Sequence, residues 1–195
     1  RESLGRTGSA ALQPLPGAGP RPAYDGDVVE HFVAKMQEKA ATVEPLGSLA
    51  QVGTAVQRFL DRVQAPPRLR AARALPDIAW PAGLQIEHGA ARREDVSSVT
   101  PCFAALAESG GIVTLSGPDT PSTLNFVPDN HIVLVLRSQV QRHLEDVWAQ
   151  WRASGRPMPR TLNIISGPSR TADIEQTIQL GAHGPRRLHI LVLPG

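Results

Sequence analysis

One cysteine, Cys102, stands among 195 residues. An internal disulfide is therefore excluded, and so is an iron–sulfur cluster held by this chain alone, because a cluster takes about four thiolates. Aromatic residues make up 4% of the chain, so the core has to be mostly aliphatic and a platform for stacking bases lacks its material. Lysine is almost missing: Lys35 and Lys39 are the two in the chain, and arginine supplies the other basic residues. The formal charge of +2, without a clustered basic stripe, gives no footprint for nucleic acid. The longest aliphatic run, residues 132–136, is far short of the roughly 20 needed to cross a bilayer. No apolar stretch of a secretory signal opens the sequence. A soluble cytoplasmic protein without membrane insertion is the expectation.

Familiar catalytic devices are missing too. Neither lysine follows a glycine, so there is no Walker loop, and GxGxxG, CxxC, HExxH and GxSxG do not occur. Residues 1–24 hold four glycines and four prolines and show no helical or alternating apolar pattern, which reads as a flexible arm before a single domain over 25–195. Asp25 or Asp27 is placed to cap a helix whose apolar stripe is Val28, Val29, Phe32, Val33 and Met36. Ser48 and Gln51 form a capping-box pattern ahead of a second amphipathic helix that Pro66 and Pro67 stop. Strands are expected at 42–43, 68–71, 84–87, 96–99, 112–115, 131–136, 161–166 and 188–193, and helices at 138–153 and 171–180. Continuously apolar strands alternating with helices predict an α/β fold, a mainly parallel sheet with helices on both faces. The last two strands are expected to flank a crossover through the 171–180 helix.

Three segments carry candidate chemistry. In SGPSRTADIE, residues 166–175, Gly167 and Pro168 force a tight exit from a strand, and Ser169 or Thr171 can cap the helix expected after it. Exposed N–H groups there, with Ser166 and Arg170, suit a carboxylate or phosphate, while Asp173 in the first turn favours the alternative of a plainly capped helix. GAHGP, residues 181–185, places His183 between two glycines, the second being Gly184, with Arg186 just beyond. His183 there is either a general base or an ordinary loop histidine. Asp129 and His131 in VPDNH share a strand face. Two such ligands are too few for zinc, so no metal is expected. AESGG puts Glu108 at a helix end before two glycines. Cys102, in an apolar stretch, reads as an inert buried thiol.

Together ESGG, VPDNH, ISGPSRTADIE and GAHGPRRLHILVL resemble the lactate-utilisation protein C family, the LUD domain, over about residues 85–193. The resemblance implies a fold akin to the group of ribose-phosphate isomerase, glucosamine-phosphate deaminase and CoA-transferase. It also implies a subunit that supports oxidation of L-lactate to pyruvate beside iron–sulfur partner proteins, with no cofactor of its own. The chain departs from the family's Glu-Thr-Gly-Thr in having Glu108-Ser109-Gly110-Gly111, which removes a hydroxyl at 111. Three functional readings stand open. The first is the lactate-system subunit holding a small carboxylate through Arg170 or Arg186 with His183. The second is a CoA-transferase-like or sugar-phosphate enzyme using Glu108 as nucleophile or acid–base group. The third is a scaffold without catalysis.

Overall fold

The computed structural model describes residues 19, 21, 23, 25–172, 178–180 and 184–195. Six strands, β1 (Thr42–Pro45), β2 (Arg68–Ala71), β3 (Gln85–His88), β4 (Ser97–Pro101), β7 (Asn130–Leu136) and β12 (Arg187–Leu193), form one sheet in the order β1-β12-β7-β4-β2-β3. Every pairing in it is parallel. β7 and β12 are the longest and lie side by side within it, which is why they read as unbroken aliphatic runs: strands covered on both faces have no polar side to alternate with.

Helix α1 (Val28–Glu38) is capped by Asp27, whose carboxylate accepts from the backbone N–H groups of Val29 at 2.7 Å and Glu30 at 3.0 Å. Those bonds, Glu30 first, hold its pKa below the ordinary carboxylate value. Its stripe Val29, Phe32 and Met36 packs with Val133, Val135, Ile190 and Val192. Helix α2 (Val52–Arg62) packs Val52, Val56, Phe59 and Leu60 with Ile132, Leu134, Leu191 and Leu193. Odd and even positions of β7 thus face different helices, as the period of two requires, so the expected helices on both faces are present.

A second sheet lies beside α1, in the order β8-β5-β6-β9: β5 (Ala104–Leu106), β6 (Gly111–Leu115), β8 (Val140–Gln141) and β9 (Leu162–Ile165). It is mixed, with β6 antiparallel to both β5 and β9, and β5 parallel to β8. Ala105, Ala107, Ile112 and Val140 join the α1 core, while Ala104, Leu106 and Val113 face Val147 of α4 (Leu144–Ala153). A short α3 (Thr123–Phe126) lies against β4 and β7.

Several expected elements differ. The 138–153 helix is a 3-10 turn, then β8, then α4, because Val140 pairs with Ala105. In the Ser48 region Gln51 accepts from the Gly47 N–H, Ser48 makes no side-chain cap bond, and a 3-10 turn precedes α2. β9 belongs to the second sheet, so it does not flank β12. Residues 171–180 are no helix where the structure describes them: β10 (Arg170–Ala172) pairs antiparallel with β11 (Ile178–Leu180). Glu108 comes after a strand, β5, rather than a helix.

Candidate functional site

The order of the large sheet turns at β2, which has β3 on one side and β4 on the other. In parallel α/β sheets ligands bind outside the carboxyl ends of strands at such a turn. Here two adjoining cavities open at that edge, of about 510 and 450 Å3, and both are walled by Ala74, just after β2, and Pro101, at the end of β4. The first runs between the two sheets. Thr100, Cys102 and Phe103 line it from one side, Thr114 and Ser116 from β6 and its exit, and Trp151 and Arg156 close it.

The polar groups of this cavity are fixed from behind. Asn125 donates from Nδ2 to Thr114 Oγ1 at 3.0 Å, and the Thr161 N–H donates to Ser116 Oγ at 2.8 Å, so each hydroxyl keeps its own proton for a ligand. Thr100 Oγ1 lies 2.8 Å from Nε2 of His131, a fully buried imidazole whose Nδ1 has no partner. Burial pushes the His131 pKa down to about 3, so the ring is neutral and orients Thr100 without adding charge. Cys102 donates to Gln139 Oε1, and burial raises its thiol to about 12. That keeps it protonated and unreactive, as its sequence context suggests. Arg156 is exposed at the rim, and among the described residues no carboxylate lines either cavity. Among the described residues, hydroxyls and the Arg156 guanidinium are the groups lining the first cavity that could meet an anion.

Several of the residues singled out in the sequence meet elsewhere. Asp129 immediately precedes β7 and Arg186 immediately precedes β12, where they pair at 3.6 Å with both side chains about half exposed. The Ser169 N–H donates to Pro185 O at 2.8 Å, tying the 166–169 turn to the same end. Gly184 lies against Ser169, and Gly110 and Gly167 press onto the end of α1. With φ of 62° and 112°, these two occupy conformations that favour glycine, and an added Cβ would meet Lys35 Cβ at 2.7 Å or Lys39 O at 2.9 Å. Their openness thus serves packing against α1. Asp129, Ser169 and Arg186 lie at the amino edge of the large sheet, opposite the cavities.

Glu108 has both carboxylate oxygens engaged: Oε2 with His143 Nδ1 at 2.8 Å and Oε1 accepting from the Leu144 N–H at 3.1 Å. It caps α4, and it does not line the cavities. His131 sits within β7 and reaches the first cavity only through Thr100. Ser166 and Arg170 are exposed, and Thr171 is described as backbone of β10. Asp173 and His183 lie outside the described residues. Thr100, Thr114, Ser116 and Arg156 were not singled out in the sequence; the signal available was position, since Pro101-Cys102-Phe103 closes a buried parallel strand.

A comparison with solved structures finds a DUF162 family protein from Deinococcus radiodurans, TM-score 0.67 and 22% identity, covering 88% of this chain and 99% of that one. It supports the fold. In sequence, the chain is 36% identical over 91 residues to lactate utilization protein C of Bacillus subtilis, and 36% identical over 91 residues to that of Halalkalibacterium halodurans. Each alignment takes in 45% of this chain and 38% or 40% of the relative, so the chain spans about two fifths of the length of the curated relatives it matches. The model of the LUD domain matches residues 95–193, from the buried Asp95 ahead of β4 through the end of β12, and the chain belongs to the LUD domain family.

Proposed function

We propose that this chain is an anion-binding component of a lactate-utilisation system, supporting oxidation of L-lactate to pyruvate beside iron–sulfur proteins that carry the electrons. The observation that carries the reading is the LUD match over residues 95–193, shared with relatives named lactate utilization protein C. Chemistry supports the division of labour. One buried, protonated cysteine cannot hold a cluster, and no group of three or more metal-ligating side chains occurs among the described residues. The carboxyl-edge cleft offers hydroxyls and Arg156 to a carboxylate.

Deleting the gene in its host is expected to abolish growth on L-lactate while growth on pyruvate continues. Unchanged growth on L-lactate would overturn the proposal. Within that assay Arg156→Ala is expected to slow growth on lactate. A second placement, the amino-edge loops, is favoured by the meeting of Ser169, Gly184, Arg186 and Asp129. His183→Ala and Asp173→Asn test it: loss of growth in those two, with Arg156→Ala normal, moves the site to the amino edge.

A further inference from the structure

We infer that Thr100 and Thr114 determine the specificity of the first carboxyl-edge cavity, as two O–H donors that read the carboxylate of the ligand, and that His131 is the positioning residue that makes Thr100 a donor. This deepens the reading above, in which that cavity binds an organic anion, and rests on it. Thr100 on β4 and Thr114 on β6 are both buried, and both line the cavity. A hydroxyl that already accepts a hydrogen bond still has its own proton to place, and in a buried hydroxyl that proton has to find an acceptor.

For Thr100 the direction of the bond is set by His131. The ring is sealed from solvent, its Nε2 lies 2.8 Å from Thr100 Oγ1, and its Nδ1 has no partner. Burial keeps it neutral, so it carries one proton, on one nitrogen or the other. Placed on Nδ1, that proton would make a buried N–H without an acceptor, an orphan that folded proteins rarely keep. Placed on Nε2, it is donated to Thr100 Oγ1, and only a ring lone pair stays unpartnered. The surroundings therefore favour the Nε2–H form, and Thr100, as acceptor from behind, turns its own proton outward.

Thr114 reaches the same condition by another route, since Asn125 Nδ2 donates to its Oγ1 at 3.0 Å. Among the described residues neither hydroxyl meets a second partner. Thr120, which also lines the cavity, differs: its hydroxyl donates to Leu115 O at 2.8 Å, so its proton is already placed. Two O–H donors held on different sheets thus offer their protons to one cavity, and Arg156 at its rim adds positive charge. A carboxylate matches this set, because it is an acceptor alone, has two oxygens to share between two donors, and makes charge-assisted bonds to both.

Two measurements test this on the full chain. Long-range proton–nitrogen NMR correlations at neutral pH are expected to show the His131 proton on Nε2; a proton on Nδ1 overturns the inference. Calorimetric titration is expected to show acetate, pyruvate and L-lactate all binding. Thr100→Val and Thr114→Val should each weaken the three by a common factor of about tenfold or more, the loss of a hydrogen bond to a charged group. Thr100→Ser keeps the hydroxyl and should stay within about threefold of wild type. His131→Gln keeps an N–H donor and should bind as wild type does, whereas His131→Met has none and should lose affinity as Thr100→Val does. Circular dichroism checks that each variant folds, and where one does not, the tautomer in the wild-type chain still decides. Unchanged affinity in folded Thr100→Val or His131→Met refutes the proposal. A loss confined to pyruvate or to lactate would mean that the hydroxyl reads the oxygen on the second carbon, which also refutes it. Failure of all three anions to bind the wild-type chain overturns the anion reading beneath it, whatever the tautomer.

Discussion

Arg70 is 5% exposed and pairs with two carboxylates. Its Nε and Nη2 donate to the two oxygens of Asp95 at 2.9 and 3.2 Å, and Glu87 lies 2.9 Å from Nη2. The bond to Asp95 raises the arginine's pKa further. Burial alone would raise that of Asp95, but the bonds from Arg70 and from the Arg92 N–H outweigh it and hold the carboxyl below its usual value. A buried ion pair adds little over an apolar replacement, whereas removing one partner strands the other. Asp95→Ala is therefore expected to cost about 3 kcal/mol in a urea melt, with the partly exposed Glu87 limiting the loss. A midpoint within about 0.5 kcal/mol of wild type would show that Arg70 escapes to solvent.

At the scale of elements, Glu108 decides between two readings of the same side chain. It satisfies the Leu144 N–H at the start of α4 and holds His143 beside it, so Glu108→Ala is expected to lower stability by about 1–2 kcal/mol, the value of a lost cap and its bond. Unchanged thermal stability together with lost function on lactate would restore the nucleophile. The elements themselves were legible to unequal degrees. β7 and β12 declare themselves as aliphatic runs, and α1 by Asp27 and its stripe, because local sequence and final environment agree there. Val140 continues the apolar stripe of Leu144, Val147 and Trp151, and only its pairing with Ala105, 35 positions away in sequence, makes it a strand. Residues 170–172 and 178–180 likewise take their conformation from each other. The site was least legible of all, since Thr100, Thr114, Asn125, Trp151 and Arg156 come from separate segments that meet only once both sheets are formed.

For the whole molecule, acid sensitivity is expected from two histidines sealed on opposite faces of the large sheet. His131 lies under Thr100 on the α1 side. His189 stacks on Phe59 of α2 with ring centroids 4.3 Å apart, and its Nδ1 meets Thr42 Oγ1 at 2.8 Å. Burial first, with Arg62 adding repulsion, pushes the His189 pKa down to about 4, despite Glu44 3.7 Å from Nε2, and burial pushes His131 down to about 3. Both rings are neutral in the fold, yet once unfolded they take up a proton below the ordinary histidine value of 6.5. The unfolded state therefore binds more protons throughout the interval between the folded values and 6.5, and stability falls as pH drops through it. The loss is about 2 kcal/mol per histidine at about pH 5 relative to about pH 7. Asp27 and Asp95, whose folded pKa values are depressed below 3.8, act in a lower window, losing their contribution only as pH falls toward and below that value. Urea midpoints at about pH 7 and about pH 5 check this directly, and His131→Asn and His189→Gln should each remove about half of the difference. Equal stability at the two pH values would mean that both rings reach solvent and protonate within the folded molecule.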